Sequence, residues 1–356
     1  MKRLSIYGLI ISVISLLSIS CDEFIFQKEL DLSHLTTPPK LVVNSIVYAG
    51  NDTNELRYTY SYPIFDPKNG REIINTDYWG YNYAFINDRV YYLLDVETDF
   101  YINEQKQTDI FEKDSIHYVR AKTESGQNLR IEAQWKDQKI SAVTSIPTQP
   151  DFSVLNEDPD NIVLLLKDEK GVKNYFRIFL HHEYEIHFWP KVAEKHNLPP
   201  SVSQYYSSNY ITYDPILTWG NPENDNSDFD VTSFEQNYLN IFSDDQFADK
   251  ETELKLQRGS NYYYGSRIEA DNEDGYFEIE PRHIERDVTR YYITIQALSE
   301  ELYNYYAAFS SYYQMNDYAV EPIRMYGNIE GGLGIFGAIN EKTVLISETT
   351  TEYEEY

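Results

Sequence analysis

His181, Glu183, Glu185 and His187 alternate along one stretch of the chain, and all four side-chain types can ligate a divalent metal. On an extended backbone the alternation puts them on one face, with neighbours about 7 Å apart. A single ion cannot collect the set at that spacing. The expectation is a solvated outer face, since Phe176, Ile178, Leu180, Tyr184, Ile186 and Phe188 line the opposite one. Asp225, Asp228 and Asp230, and Asp271, Glu273 and Asp274 in another polar stretch, offer oxygen atoms to calcium, but neither run has D-x-[DN]-x-[DN]-G spacing. Gly332, Gly334 and Gly337 satisfy G-x-G-x-x-G, which cradles a pyrophosphate only between a strand and a helix. Here the strand-like Thr343-Val344-Leu345-Ile346 follows, so tight backbone packing against the core is expected. No metal and no cofactor are expected.

Nucleophilic chemistry has no local signature either. The chain lacks a G-x-S-x-G elbow, an H-E-x-x-H helix and a P-loop, and it has one cysteine. No catalytic residue is named, and the chain is expected not to be an enzyme. Tyrosine is the compositional outlier, with 34 residues and repeats such as Tyr205-Tyr206, Tyr262-Tyr263-Tyr264 and Tyr312-Tyr313. A flat ring with a hydroxyl suits glycan or peptide surfaces. Tyr205, Tyr206 and Tyr210, read as loop residues, are the candidate ligand-binding cluster.

These side chains must be carried by strands. Leu41 to Tyr48 reads as a strand followed by a turn at Ala49-Gly50-Asn51-Asp52, and Ile116 to Thr123, Leu129 to Trp135 and Ile140 to Ile146 read as a three-stranded meander. Pro147 and Pro150 close it, and a domain boundary is expected there. Beyond it, Ile162 to Leu166, Phe176 to Phe188, Thr252 to Leu256 and Tyr291 to Ile295 have strand patterns, and Asp214 to Phe247 reads as a long acidic loop. One helix is expected near 299–315: Ser299 suits the N-cap, Glu300 and Glu301 suit the positive end of the dipole, and Leu302, Tyr306, Phe309 and Tyr313 recur at helical spacing. The expected fold class is mainly β. It comprises two β-sandwich-like domains, an immunoglobulin- or fibronectin-like one over 40–150 and a second over 151–346 that carries the helix, then a loose acidic tail over 347–356.

The 356 residues carry 58 acids against 30 Lys and Arg, a formal net charge of -28, which repels phosphate backbones and makes nucleic acid an unlikely partner. Met1-Lys2-Arg3 is a basic start, and Leu4 to Ser18 is an apolar stretch of signal-peptide length, too short to span a bilayer. It ends in Ser18-Ile19-Ser20-Cys21. This resembles a bacterial lipoprotein box, with Leu17 one place early, and makes Cys21 the expected lipid anchor. Residues 1–20 are then a lipoprotein signal peptide and 21–39 a tether that stiffens at Pro38-Pro39. Asp22-Glu23 resembles the signal that carries lipoproteins to the cell surface in Bacteroidota; the periplasmic face of the outer membrane is the alternative.

Leu41-Val42-Val43-Asn44, the Gly126 meander ending in Ser145-Ile146-Pro147, Ile241 to Phe247, and Glu321-Pro322-Ile323 through Asn328 to Gly337 together resemble a Bacteroidota outer-membrane lipoprotein family of unknown function. The resemblance implies a place beside TonB-dependent receptors, because members are commonly encoded next to them. It implies an accessory role in nutrient capture and brings no catalytic residues. The expected function is a non-catalytic binding accessory of such an importer; a surface adhesin or structural envelope lipoprotein without a small ligand is the alternative.

Overall fold

The computed structural model describes residues 39–61, 73–75, 84–86, 93–114, 116–156, 158, 160–208, 210–212, 214–217, 239–258, 267–269, 276–314 and 325–355. Cys21, the signal peptide, the tether, the candidate calcium ligands and Tyr262-Tyr263-Tyr264 lie outside them, as does most of the expected acidic loop. The chain divides into two units. In one, Met1–Pro39 with Tyr62–Asp88, the described strands Ile73–Asn75 and Ala84–Ile86 pair antiparallel. The other, Lys40–Ser61 with Arg89–Tyr356, holds the elements that follow.

Its backbone is a seven-stranded sheet in the order Ser201–Ser208, Tyr175–Phe188, Ile284–Leu298, Leu333–Glu352, Leu41–Tyr48 and Tyr58–Tyr60, with Ile241–Ser243 also paired to the Tyr175 strand. The Leu41 and Leu333 strands run parallel, which only a long connection between them permits. One face of this sheet is largely apolar, because alternation sends Val43 and Val47, Phe176, Ile178 and Leu180, and Ile293 and Ile295 to the same side.

Two shorter sheets cover that face. Glu97–Ile102, Gln105–Gln107, Asn128–Trp135 and Gln138–Ser145 form one, and its Phe100, Leu129, Ile131 and Ile140 share a core with Leu41, Val43 and Phe336. Asp151–Val154, Asn161–Lys167, Tyr210–Ile211 and Glu251–Arg258 form the other, and its Phe152, Leu164 and Leu254 share a second core with Phe176, Ile178 and Ile295. The mainly β, sandwich-like class follows from these layers.

The boundary expected at Pro147 to Pro150 marks where the first core, ending at Ile146, gives way to the second, starting at Phe152. It does not divide the sheet. The Leu333 strand supplies Phe336 and Ala338 to the first core and Ile346 to the second, so the two halves share a long strand. The expected meander also needs correction. Asn128–Trp135 and Gln138–Ser145 are a hairpin, but Ile116–Arg120 pairs with Thr53–Leu56 and Ile110–Lys113 in a separate sheet, and Glu97–Ile102 takes the place beside Asn128–Trp135. Alternation fixes a strand's faces and leaves its neighbour open.

The expected loose tail is corrected as well. Residues 347–352 continue the Leu333 strand, with Thr350 opposite Val288 and Glu352 opposite Arg286. Beyond it, the Tyr353 hydroxyl donates to buried Asp287 at 2.6 Å. Acidic composition hid a run of β-branched threonines. The helix forms at Glu300–Gln314, with the Ser299 hydroxyl accepting the Leu302 N–H at 3.4 Å and Leu302 fully buried against Leu298, Ile335 and Ile339. A shorter helix, Pro190–His196, starts on proline and ends at Asn197 in the left-handed region, and is too short to show a period.

Candidate functional site

Among the described residues the second face of the large sheet is covered only in part. The Glu300 helix packs over Ile46, Tyr48, Tyr175, Leu298, Ile335 and Ile339 at one end. At the other end the outward positions of the Tyr175 strand are His181, Glu183, Glu185 and His187. Directly opposed residues of an antiparallel pair share a face, so the register builds two rungs. Tyr205, Glu183, Arg290 and Glu348 lie side by side in one, and His181, Tyr292 and Leu345 in the next. This end is open: Tyr205 is 69% exposed and Leu345 47%.

Arg290 organises the surface. Its Nη1 donates to Glu183 at 3.3 Å and to Glu185 at 2.8 Å, and its Nε donates to Glu348 at 2.6 Å. Glu183 also accepts from the Tyr205 hydroxyl at 3.0 Å and the Tyr292 hydroxyl at 3.2 Å. The His181 ring stacks on Tyr292 with centroids 5.2 Å apart. Burial pushes the Glu183 carboxyl up, but hydrogen bonds from Tyr205, Arg290, Ser203 and Tyr292 outweigh it and hold the group below the usual carboxylate range. The Glu348 and Glu185 contacts raise the Arg290 guanidinium further above its already high value. A carboxylate held ionised and hydrogen-bonded on several sides is a poor proton donor at neutral pH, so the arrangement suits recognition better than general acid catalysis.

The four alternating residues therefore share one outward face, as expected, and their carboxylates are engaged by Arg290. Among the described residues no three of His, Cys, Asp and Glu converge to hold a metal ion. The tyrosine cluster is corrected. Tyr205 and Tyr206 lie on a strand, not a loop, so they point to opposite sides. Tyr205 faces outward beside Glu183. Tyr206 stacks on His182 at 5.2 Å, and its hydroxyl donates to Gln204 at 2.6 Å. Tyr210 begins a strand of a different sheet, opposite Arg258. The three are not one site. Arg290, Tyr292, Leu345 and Glu348 join the face from strands more than a hundred positions away, and only pairing register reveals them.

The glycine motif opens the Leu333 strand, which pairs with the Leu41 strand and continues to Glu352 without the turn into a helix that a phosphate cradle needs. A Cβ on Gly332 would come 2.8 Å from the Leu41 carbonyl oxygen, one on Gly337 would come 2.8 Å from the Leu302 Cβ, and one on Gly334 would collide with the Val43 carbonyl oxygen. Two depressions of about 500 and 540 Å³ lie elsewhere, the first lined by Thr212, Asp214 and Lys255 among others and the second by Glu97, Asp99, Glu132 and Glu330 among others. Among the described residues neither is lined by an aromatic ring, so the rung containing Tyr205 is the better candidate for recognition.

No curated protein matches the chain. Among solved structures, a DUF4785 family protein from Legionella pneumophila is similar at 8% identity over 72% of this chain and 51% of its own, with a TM-score of 0.18. The chain thus spans about half that protein's length, and a likeness so slight says nothing of fold or role. A family profile, by contrast, covers residues 26–344, which include the first core, the second core apart from Ile346, the glycine motif, and Glu183, Tyr205, Arg290 and Tyr292 of the rungs but not Leu345 or Glu348. The chain belongs to that family, described as a domain of unknown function, DUF4249.

Proposed function

We propose that this chain is a non-catalytic outer-membrane lipoprotein, anchored through Cys21 and facing the cell surface, that serves as a binding accessory of a TonB-dependent nutrient importer in a Bacteroidota cell. The observation that carries the reading is the open end of the large sheet, where an exposed Tyr205 stands on a hydrogen-bonded array fixed by Arg290. A pre-organised aromatic surface loses little side-chain freedom on binding. The leader and Cys21 support the placement, since a diacylglycerol plus an N-acyl chain satisfies the need for more than one buried tail. The tether would hold the body near its receptor and raise the effective concentration there. Asp22-Glu23 favours the outer face. Among the described residues no helix is long and apolar enough to cross a membrane, so these residues supply no helical anchor of their own.

Co-purification tests the partnership. After mild detergent extraction from the native cell, a tagged form should bring down a TonB-dependent receptor in stoichiometric amount. Recovery of the lipoprotein alone, with the receptor intact in the same extract, would favour the adhesin or envelope-spacer reading.

A further inference from the structure

We infer that the rung Tyr205, Glu183, Arg290 and Glu348, with Tyr292 and Leu345 beside it, takes a neutral oligosaccharide laid across the strands. The inference rests on the binding-accessory reading and names the ligand class.

Geometry comes first. The rung crosses four strands, three inter-strand steps of about 4.8 Å each, so it is a strip about 14 Å long. Tyr205 lies at one end with its hydroxyl tied to Glu183 at 3.0 Å, which fixes the ring while leaving it 69% exposed. Leu345, 47% exposed, lies at the other end in the adjacent rung. Ring and leucine present apolar surfaces to a ligand with C–H faces, and the polar groups lie between them.

Charge then narrows the class. Three carboxylates contact the one guanidinium, so the strip is net negative and disfavours an anionic ligand. A cationic ligand would have to enter beside Arg290, and Glu183 already accepts from two tyrosines and that arginine. What remains unused is specific. Arg290 spends Nε and Nη1 on carboxylates, and its Nη2 makes no hydrogen bond to the described residues. Two N–H donors are therefore held in a fixed position with no acceptor among the described residues. Glu348, about half exposed, keeps acceptor capacity beside them. A hydroxyl accepts from Arg290 and donates to Glu348 through a single uncharged atom, where an amide needs two, and neighbouring hydroxyls on a ring with an apolar face describe a sugar.

The test is calorimetric titration of the full protein with neutral hexaoses of glucose, mannose and xylose, with oligogalacturonate and hexalysine as charged probes. At least one neutral hexaose should bind, with an affinity that does not change with salt. Tyr205→Ala should weaken it roughly tenfold, and Tyr205→Phe by about threefold, since phenylalanine keeps the ring contact but loses the hydroxyl bond to Glu183 that fixes it. Tyr205 is exposed, so these variants leave the core intact. Arg290→Lys, which keeps the charge and removes the Nη2 fork, should weaken binding further. Three results would each overturn the assignment: no neutral hexaose binds at millimolar concentration, binding is unchanged in Tyr205→Ala, or hexalysine alone binds in a salt-sensitive way. Receptor co-purification alongside such a failure would leave the accessory role standing without its sugar.

Discussion

Alanine at position 334 should destabilise the protein by at least about 4 kcal/mol, among the largest effects a single added methyl group can have. Gly334 has φ +102°, a region L side chains rarely adopt, and a Cβ there would run into the carbonyl oxygen of Val43. Val43 and Gly334 are direct partners in the parallel pairing that joins the first strand of the sheet to the last. Relief would require opening that pairing, which also holds Val43 and Phe336 in the first core. Gly50 is the matched control. Its φ of +85° is also positive, but an added Cβ meets nothing within 4 Å, so Gly50→Ala should cost only about 1 kcal/mol. Urea unfolding midpoints of the two variants check this. Similar shifts would mean that backbone sign alone, and not the Val43 contact, explains the glycine.

Asp244→Ala should cost about 3 kcal/mol by the same measurement. Asp244 is 1% exposed and accepts the Asn174 N–H at 2.6 Å and the Lys173 ammonium. It sits between Phe242 and Phe247, both of which stack on Phe176 in the second core. Removing the carboxylate leaves a buried N–H without its acceptor. The neighbouring turn depends on the same corner: Asn174 donates its side-chain amide to Asp168 at 3.1 Å, and Asp168 accepts the Asp249 N–H at 2.7 Å. Asp245 also touches Lys173 but is 75% exposed at its side chain, so Asp245→Ala should change stability by less than about 1 kcal/mol. Equal losses from the two aspartates would contradict a structural role for Asp244.

These two sites show what a sequence of this kind discloses and what it withholds. The alternation of Leu129, Ile131, Ala133 and Trp135 and of Phe176, Ile178 and Leu180 marks strands and their buried faces without further help, because burial on one side of a pleat has a period of two. The helix at Glu300–Gln314 is equally legible from Ser299, the first-turn acids and Leu302. Pairing is another matter. Nothing local says that Val43 meets Gly334, or that Ile116–Arg120 belongs with Thr53–Leu56 and not with the hairpin that follows it. The glycines look like a nucleotide motif because close backbone approach to a phosphate and close approach to another strand need the same residue. Likewise His181, Glu183, Glu185 and His187 are visible as a polar face, but the arginine that organises them comes from the Ile284 strand. Tyr205 could be singled out by composition. Its separation from Tyr206 and Tyr210 follows only once the Ser201 strand is placed.

The proposed role depends on a fatty anchor at Cys21 that keeps the sheet platform at the outer membrane. Metabolic labelling with radioactive palmitate in the native cell tests this most directly, with the wild type and Cys21→Ala compared in fractionated envelopes. The expected result is label on the wild-type protein in the outer-membrane fraction, with both the label and that location lost in Cys21→Ala. An unlabelled wild type, or a Cys21→Ala form that still fractionates with the outer membrane, would contradict it.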